Sequence, residues 1–255
     1  MRFAIGLEYD GAAYLGWQAQ AQTPTVQETV EAALSSVANH PVRLVCAGRT
    51  DTGVHALGQV AHFDTQAERS GRQWLLGGNR HLPEDIAILW ARPVPDDFHA
   101  RFSAFARSYR YVILNRAPRP ALDHGRAGWY REPLDAGAMA EGAKHLLGEH
   151  DFSAFRSAGC QANHPVREVQ AVAVARQGDR VHIDITANGF LYKMVRNIVG
   201  SLISIGLGER PPSWIAEVLE GRDRTAAAPT AKPGGLYFVG VRYPRSYGLP
   251  EGAAP

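Results

Sequence analysis

The chain is poor in cysteine: Cys46 and Cys160 are the two among 255 residues, and no C-x-x-C pair occurs. This argues against a zinc knuckle or a disulfide scaffold, because both need several cysteines at short spacings. Unpaired thiols are typical of proteins in a reducing compartment, so the cysteine content predicts a cytoplasmic protein.

Long apolar runs and several enzyme motifs are also missing. The longest apolar stretch, Gly189–Gly208, is interrupted by Lys193, Arg196 and Asn197, so no segment has the roughly 18 apolar residues of a membrane span. The ten histidines lack H-x-x-x-H spacing, and no G-x-x-x-x-G-K-[ST], G-x-G-x-x-G or G-x-S-x-G motif occurs. Metal, nucleotide and serine-hydrolase chemistry is therefore unsupported. A net charge of +2 is too small to imply a nucleic-acid partner by itself.

Periodicity and helix-start signals predict a β-α-β-β-α-β order in the first part of the chain. Apolar residues alternate in Met1–Asp10 as they do in a strand. Thr25-Val26-Gln27-Glu28 has the pattern of a capping box, which predicts a helix from Thr25 that His40-Pro41 ends. The other predicted elements are strands at 42–47, 57–65 and 86–94 and a helix around 73–76.

The second part of the chain repeats this order. Its predicted elements are strands at 108–114, 166–176, 181–187 and 236–243 and helices at 134–147, 190–207 and 214–219. The repetition predicts an α+β fold of two ferredoxin-like β-α-β-β-α-β halves whose antiparallel sheets join, with an active-site cleft between them. We place the N-terminal half at 1–104 and the C-terminal half at 105–247. A tail at 248–255, rich in glycine, proline and alanine, is expected to be disordered.

One turn between two predicted strands presents a carboxylate. The sequence AGRTDTGVHA, Ala47–Ala56, places Asp51 two residues after Arg49 and between Gly48 and Gly53. Glycines let a backbone take positive φ and approach a ligand closely, and turns that leave strands often carry functional groups. Asp and Thr in such a turn also commonly bond only their own backbone. The turn alone leaves both interpretations open.

Arginines and aromatic residues alternate in the segment 98–120, which contains no acidic residue. Its arginines are Arg101, Arg107, Arg110, Arg116 and Arg119, and its aromatic residues are Phe98, Phe102, Phe105, Tyr109 and Tyr111. Guanidinium groups bind phosphate and aromatic faces stack on bases, so the segment is a candidate RNA-binding surface. An amphipathic strand with a solvated arginine face and an aromatic core explains the pattern about equally well.

Arg196 interrupts the apolar pattern of the predicted helix at 190–207, on the face that also carries Lys193 and Gly200. A largely buried arginine needs a carboxylate partner, because an unpaired buried charge costs on the order of several kcal/mol. Asp51 is our candidate for that partner. The alternative is that Arg196 reaches solvent at the edge of the helix. The glycine pair before Leu236 is compatible with a simple turn into a strand.

Six segments together resemble the TruA family of tRNA pseudouridine synthases, in the family's order and over nearly the whole chain. They are YDGAAYLGWQ (Tyr9–Gln18), AGRTDTGVHA (Ala47–Ala56), DDFHARFSA (Asp96–Ala104), RSYRY (Arg107–Tyr111), FLYKMVRNIVGSL (Phe190–Leu202) and GLYFVGVRY (Gly235–Tyr243). No single motif is decisive, but the set is highly specific. One departure is Thr52, where the family usually has alanine, and we expect it to be tolerated.

The resemblance implies isomerisation of uridine to pseudouridine at positions 38, 39 and 40 of the tRNA anticodon stem-loop, without cofactor or metal. It implies Asp51 as the catalytic carboxylate, Arg196 as its partner, and Tyr109 as the aromatic residue that stacks on uracil. It further implies Leu236 as an apolar residue closing the pocket and Arg49 as the side chain that holds the space left by the flipped base. The family is homodimeric, and each tRNA contacts both subunits. Our further RNA-binding candidates are Arg101, Arg107, Arg110 and Lys193.

Several alternatives stay open at this point. Asp51 could attack C1′, add at C6 of the uracil, or abstract the 2′ proton. A non-catalytic RNA-binding protein would keep the basic aromatic segment but would have no use for Asp51 opposite Arg196. An enzyme that hydrolyses a glycosidic bond normally has two carboxylates at a defined separation, and Asp51 is the one prominent acid here.

Overall fold

The computed structural model describes residues 1–20 and 24–250, and these form two units of mixed α and β structure. The first unit comprises Met1–Arg107 together with the described residues from Tyr237 onward, and the second comprises Ser108–Leu236. Within the described ranges, no helix is long and apolar enough to cross a membrane. Residues 251–255 of the tail that we expected to be disordered lie outside the described residues.

The first unit follows the order β-α-β-β-α-β. Its elements are β1 (Arg2–Tyr9), α1 (Val26–Ala38), β2 (Val45–Cys46), β3 (His55–Asp64), α2 (Gly71–His81) and β4 (Ile86–Val94). Strand β1 pairs antiparallel with both β3 and β4. The last strand of the chain, β10 (Leu236–Arg242), runs parallel to β3 and pairs with it at His55 and Ala56. The alternating residues Phe3, Ile5 and Leu7 are buried, as the period of two predicts.

The helix start predicted at Thr25 is confirmed, and the helix predicted around 73–76 is present. Helix α1 has Thr25 at its N-cap, where the side chain accepts a hydrogen bond from the Glu28 backbone. Helix α2 has Ser70 at its N-cap, with a complete capping box to Gln73. The left-handed residue Asn39 (φ 58°) ends α1 next to the predicted stop.

The strand predicted at 42–47 is shorter than expected, because side chains of α1 bond its first residues. The Val42 N–H donates to Ser35 Oγ (2.9 Å), and the Leu44 N–H donates to Glu31 Oε1 (2.8 Å). The Leu44 carbonyl accepts a bond from Gln27 Nε2 (3.3 Å). Pairing with β3 is left to Val45 and Cys46, which lie opposite His62 and Ala61.

The second unit contains five of its own strands and three helices in the described chain. They are β5 (Ala106–Asn115), β6 (Gly128–Tyr130), α3 (Ala136–Lys144), β7 (Gly148–Asp151), β8 (Val166–Gln177), β9 (Arg180–Ala187), α4 (Met194–Gly206) and α5 (Trp214–Gly221). The strand order is β5-β9-β8-β7, and β6 runs parallel to β5. The predicted hairpin of β8 and β9 is present, whereas the short strands β6 and β7 were not predicted.

Helix α4 begins four residues later than predicted. Lys193 adopts the left-handed conformation (φ 58°, ψ 12°) and forms the N-cap. The preceding turn is closed by the Met194 N–H, which donates to the Leu191 carbonyl (3.0 Å), while the Tyr192 N–H donates to Cys160 Sγ (3.4 Å). The prediction that Lys193 shares a helix face with Arg196 and Gly200 is therefore wrong.

Candidate active site

The turn that carries Asp51 is held by hydrogen bonds at both ends. The Ala47 N–H donates to the Val60 carbonyl (2.8 Å), and Gln59 Nε2 donates to the Gly48 carbonyl (2.6 Å). The Val54 N–H closes the turn by donating to the Asp51 carbonyl (3.1 Å). Asp51 is half-buried, whereas Arg49 and Thr52, which lie close to it in the sequence, are exposed. The backbone of Asp51 is thus positioned by the strand that follows it.

The N-terminal segment Tyr9–Gln18 packs against this turn. The Tyr9 hydroxyl and Thr50 Oγ1 share a buried hydrogen bond of 2.8 Å. The Trp17 N–H donates to the Thr50 carbonyl (3.0 Å). Gly16 has φ +89°, and a Cβ built there would lie 2.7 Å from the same carbonyl oxygen. The close approach needs a glycine, both for the positive φ and for the missing side chain.

A second pair of contacts extends this support to the end of the turn. The Gly53 N–H donates to the Tyr14 carbonyl (3.3 Å). A Cβ at Gly11 would lie 2.0 Å from the Val54 carbonyl oxygen. Gly11 and Gly16 belong to the segment YDGAAYLGWQ, but the sequence did not show that this segment supports the Asp51 turn. The sign in the sequence was that both glycines lie in a motif of the family. The motif has no reactive group that would point to the Asp51 turn.

Arg107, one of the RNA-binding candidates, bonds the backbone of its own unit. Its Nη1 donates to the Ala104 carbonyl (2.9 Å), and its Nη2 donates to the Arg101 carbonyl. The same Nη2 lies 3.5 Å from the Ala47 carbonyl oxygen, at the start of the Asp51 turn. One guanidinium group therefore ties the segment around Arg101 to that turn.

Arg101 and Arg49 both lie near the buried thiol of Cys46. Burial raises the pKa of this thiol to about 12, and the positive charges of Arg49 and Arg101 oppose that rise. Arg101 is exposed, and its guanidinium carbon lies 5.5 Å from the centroid of the Phe102 ring. This surface of the first unit combines positive charge with an exposed aromatic ring.

In the second unit, β5 presents Tyr109 with its ring largely buried, at 9% exposure. The Phe190 and Tyr109 rings form a T-shaped pair, with centroids 5.0 Å apart and an interplanar angle of 82°. The next residue, Arg110, makes a two-bond ion pair with Asp184 (2.7 and 2.9 Å). The hydrogen bonds to Asp184 raise the pKa of Arg110, so this guanidinium is engaged within the protein.

Arg196 is held by the segment that precedes Leu236. Its Nε donates to the Ala231 carbonyl (2.8 Å), and the Ala231 N–H donates back to the Arg196 carbonyl (3.0 Å). One turn further along α4, a Cβ at Gly200 would lie 2.0 Å from the Pro229 carbonyl oxygen. The missing side chain of Gly200 thus lets another backbone approach the helix.

The same segment passes over Tyr111 before it reaches Leu236. The Tyr111 hydroxyl donates to the Lys232 carbonyl (2.9 Å), and a Cβ at Gly235 would lie 2.6 Å from the Tyr111 ring. Leu236, at 5% exposure, follows as a buried residue. Lys193, at the start of α4, places its Nζ 5.0 Å from the centroid of the half-exposed Tyr192 ring.

The predicted site residues divide between the two units. The first unit holds Arg49, Asp51, Arg101 and Arg107, and the second holds Tyr109, Arg110, Lys193, Arg196 and Leu236. The pairing of Asp51 with Arg196 stays a prediction. Among the described residues, no group of three or more His, Cys, Asp or Glu side chains is arranged to hold a metal ion.

The chain is similar to known proteins along most of its length. A family model described as tRNA pseudouridine synthase matches residues 7–103 and 143–244. A relative from Shewanella amazonensis, named tRNA pseudouridine synthase A, is 56% identical over 251 residues, which cover 98% of this chain and 96% of the relative. A relative of the same name from Nitrosococcus oceani is 55% identical over 255 residues, covering 100% and 98%.

A solved structure also matches, at a lower level. The match is to a chain of a Cbf5-Nop10-Gar1 complex, with 13% identity and a TM-score of 0.36, and it covers 79% of this chain and 45% of that one. This likeness is too weak to support a conclusion.

Proposed function

The chain belongs to the tRNA pseudouridine synthase family, and we propose that it isomerises uridine to pseudouridine at positions 38, 39 and 40 of the tRNA anticodon stem-loop. The observation that carries the assignment of the site is the Asp51 turn. It presents a half-buried carboxylate next to the exposed Arg49, and two other segments of the same unit support it from both ends.

The reaction exchanges one bond of the ribose for another. The N1–C1′ bond breaks, the uracil rotates and C5 bonds to C1′. The hydrogen on C5 leaves as a proton and N1 takes up a proton, so the overall change is an isomerisation. A uridine within a stem must first be flipped out, which costs about a few kcal/mol. We assign Arg49 to the space that the base leaves, because its exposed side chain lies two residues before Asp51. Phosphate contacts then hold the register of the stem.

Asp51 acts as an ionised carboxylate in all three candidate steps: attack on C1′, addition at C6, and abstraction of the 2′ proton. We propose that Arg196 keeps it ionised, because an opposite charge nearby favours the charged form of a carboxylate. The bond from Arg196 Nε to the Ala231 carbonyl holds the guanidinium group in place, and the planar fork of an arginine is the geometry that suits a two-bond contact with a carboxylate.

Tyr109 and Leu236 complete the proposed uracil pocket. Tyr109 offers a ring that is already positioned by Phe190, and an aromatic face stacks on any base. Leu236 supplies an apolar wall just after the backbone has crossed Tyr111. An apolar pocket around one carboxylate also keeps bulk water from the ribose carbon, which favours isomerisation over hydrolysis.

We further propose the larger organisation that the family resemblance implies. The halves 1–104 and 105–247 are each ferredoxin-like, and their sheets join around a cleft. The order of β1 to β4 in the first unit, with β1 between β3 and β4, supports this for one half. The protein works in the cytoplasm as a homodimer and uses neither cofactor nor metal. Light scattering of the purified chain tests the dimer.

The test of the catalytic assignment uses unmodified tRNA and two forms of the enzyme. Pseudouridine is mapped by carbodiimide labelling and primer extension after incubation with wild type or with Asp51→Asn. The wild type should modify positions 38 to 40. Asp51→Asn keeps the size of the side chain but loses its charge, so it should bind tRNA and form no pseudouridine. Activity that survives in this variant would overturn the assignment of Asp51.

The test of Arg196 compares two substitutions. Arg196→Lys keeps the positive charge but loses the planar fork, and Arg196→Gln loses both. Pseudouridine formation should fall in the order wild type, Lys, Gln under single-turnover conditions. Equal rates for the Lys and Gln variants would show that charge at this position does not assist Asp51.

A further inference from the structure

Phe102 is the most exposed aromatic side chain in the described part of the chain, at 74% exposure. A phenyl ring in water lacks the stabilisation that burial normally gives it, so the exposure of Phe102 calls for an explanation. It lies in the segment 96–105, in the first unit, and is one of the five aromatic residues of the basic segment 98–120, but the proposed uracil pocket does not use it.

One face of the Phe102 ring is supported from within the protein. The His99 imidazole stacks on it, with ring centroids 4.3 Å apart and an interplanar angle of 30°. The His99 ring is itself fixed, because its Nδ1 accepts bonds from the Arg101 and Phe102 N–H groups (both 3.2 Å). Burial lowers the pKa of His99, which favours a neutral ring under the phenyl group.

The backbone that carries Phe102 is held firmly. The Ala100 N–H donates to His62 Nδ1 (3.1 Å), and the Ala100 carbonyl accepts a bond from the Tyr243 hydroxyl (2.7 Å). Arg2 bonds the start of the segment at the Asp96 and Phe98 carbonyls (2.6 and 2.8 Å). A side chain presented on so constrained a backbone is pre-organised, and binding to it loses little conformational entropy.

The chemistry around the ring suits RNA. The exposed guanidinium of Arg101 lies 5.5 Å from the ring centroid, within reach of a phosphate next to a stacked base. Arg107 links the same segment to the carbonyl of Ala47 at the start of the Asp51 turn. The backbone next to Phe102 and the start of the Asp51 turn are thus bonded to the same guanidinium group.

We propose that Phe102 is a stacking platform for a nucleobase of the tRNA, outside the uridine that is isomerised, and that Arg101 binds the adjoining phosphate. The platform rests on the proposed function and refines it. A stacking contact tolerates any base, because every base has a π-face. That tolerance suits an enzyme that must hold stem-loops of differing sequence while different positions reach Asp51.

The test measures tRNA affinity and the single-turnover rate of the full-length enzyme. Phe102→Leu keeps an apolar side chain but removes the π-face, and should weaken the Kd for tRNA by roughly 5- to 100-fold. The rate at saturating enzyme should stay within about twofold. Phe102→Tyr keeps a ring and should bind like wild type. Leu76→Ala removes an exposed apolar side chain from α2 of the same unit and serves as the matched control, with unchanged affinity.

Salt dependence distinguishes the stacking contact of Phe102 from the phosphate contact of Arg101. Arg101→Gln should reduce the slope of log affinity against log salt by about one, whereas Phe102→Leu should leave the slope unchanged. Urea unfolding with an unchanged midpoint confirms that the variants are folded.

Three results would overturn the platform: Phe102→Leu binding tRNA as wild type does, Phe102→Tyr binding as weakly as Phe102→Leu, or Phe102→Leu changing the association state with affinity unaltered. The last result would assign the ring to a protein contact. Failure of the proposed function looks different: the wild type would then form no pseudouridine in tRNA, whatever residue stands at position 102.

Discussion

Substitution of Gly16 by alanine should disturb the Asp51 turn, although Gly16 is distant from Asp51 in the sequence. At φ +89°, the new Cβ would lie 2.7 Å from the Thr50 carbonyl oxygen and 3.1 Å from the Asp51 carbonyl carbon. The same Thr50 oxygen accepts the Trp17 N–H. Ordinary contact distances for carbon are near 3.5 Å, so the turn must move by on the order of 0.5–1 Å.

The magnitude combines strain and displacement. A side chain at positive φ costs about 1–2 kcal/mol, and overpacking against backbone costs about 1–3 kcal/mol more, so Gly16→Ala should lose about 2–5 kcal/mol of unfolding free energy. A misplacement of about 1 Å in a catalytic group can lower turnover about 10²-fold. We therefore expect a turnover loss of that order at temperatures where the variant is folded.

Gly178→Ala is the matched control. Gly178 also has positive φ (57°), in the hairpin of β8 and β9, but a Cβ there meets nothing within 4 Å. It should lose about 1–2 kcal/mol of stability and keep wild-type turnover. Urea unfolding measures stability, and release of tritium from C5-labelled uridine in tRNA measures turnover. Wild-type turnover in folded Gly16→Ala would refute the view that the N-terminal segment positions Asp51.

Further predictions follow from the same contacts. Burial, reinforced by the charge of Arg2, lowers the pKa of His62 to about 4. The contribution of His62 to stability is therefore fully present above about pH 6.5 and is lost as the pH falls through 4. His62→Asn, which retains an acceptor for the Ala100 N–H, should flatten this pH dependence in urea titrations. A dependence that persists in the variant would show that another group causes it. Gly200→Ala should lower both stability and turnover, because its Cβ would lie 2.0 Å from the Pro229 carbonyl oxygen. Normal turnover would show that this contact does not position Arg196. Thr52→Ala should keep turnover within about twofold, since Thr52 is exposed. Affinity for tRNA should fall steeply with salt, and a flat response would argue against phosphate contacts.

Local signals predicted the elements whose stabilising contacts are also local. The alternation in β1, the cap at Thr25 and the Gly178 hairpin were visible because each depends on residues a few positions apart. The shortened β2 was not visible. Its first residues bond α1 side chains such as Glu31, 13 positions away from Leu44, and no local period records such a contact.

The different contacts of the arginines at the candidate site were likewise not visible in the sequence. Arg101, Arg107 and Arg110 carry equal charge and stand in one basic segment, so sequence reasoning treated them alike. Arg110 pairs with Asp184, 74 residues away, and Arg107 bonds backbone carbonyls, while Arg101 stays exposed. The late start of α4 has a similar cause, since the left-handed Lys193 is unusual for a residue other than glycine.

By itself, the sequence determined the family, the order of the elements in the first unit and the residues at which the chemistry is expected, because these depend on motifs and on short-range periodicity. Only the tertiary structure decided that Gly11 and Gly16 support the Asp51 turn, that Gly200 and Gly235 admit a crossing backbone, and that Phe102 stands exposed on His99. The physical reason is that each of these contacts joins groups whose closeness depends on how the whole chain packs. A residue type can permit such a contact, but it does not specify the partner.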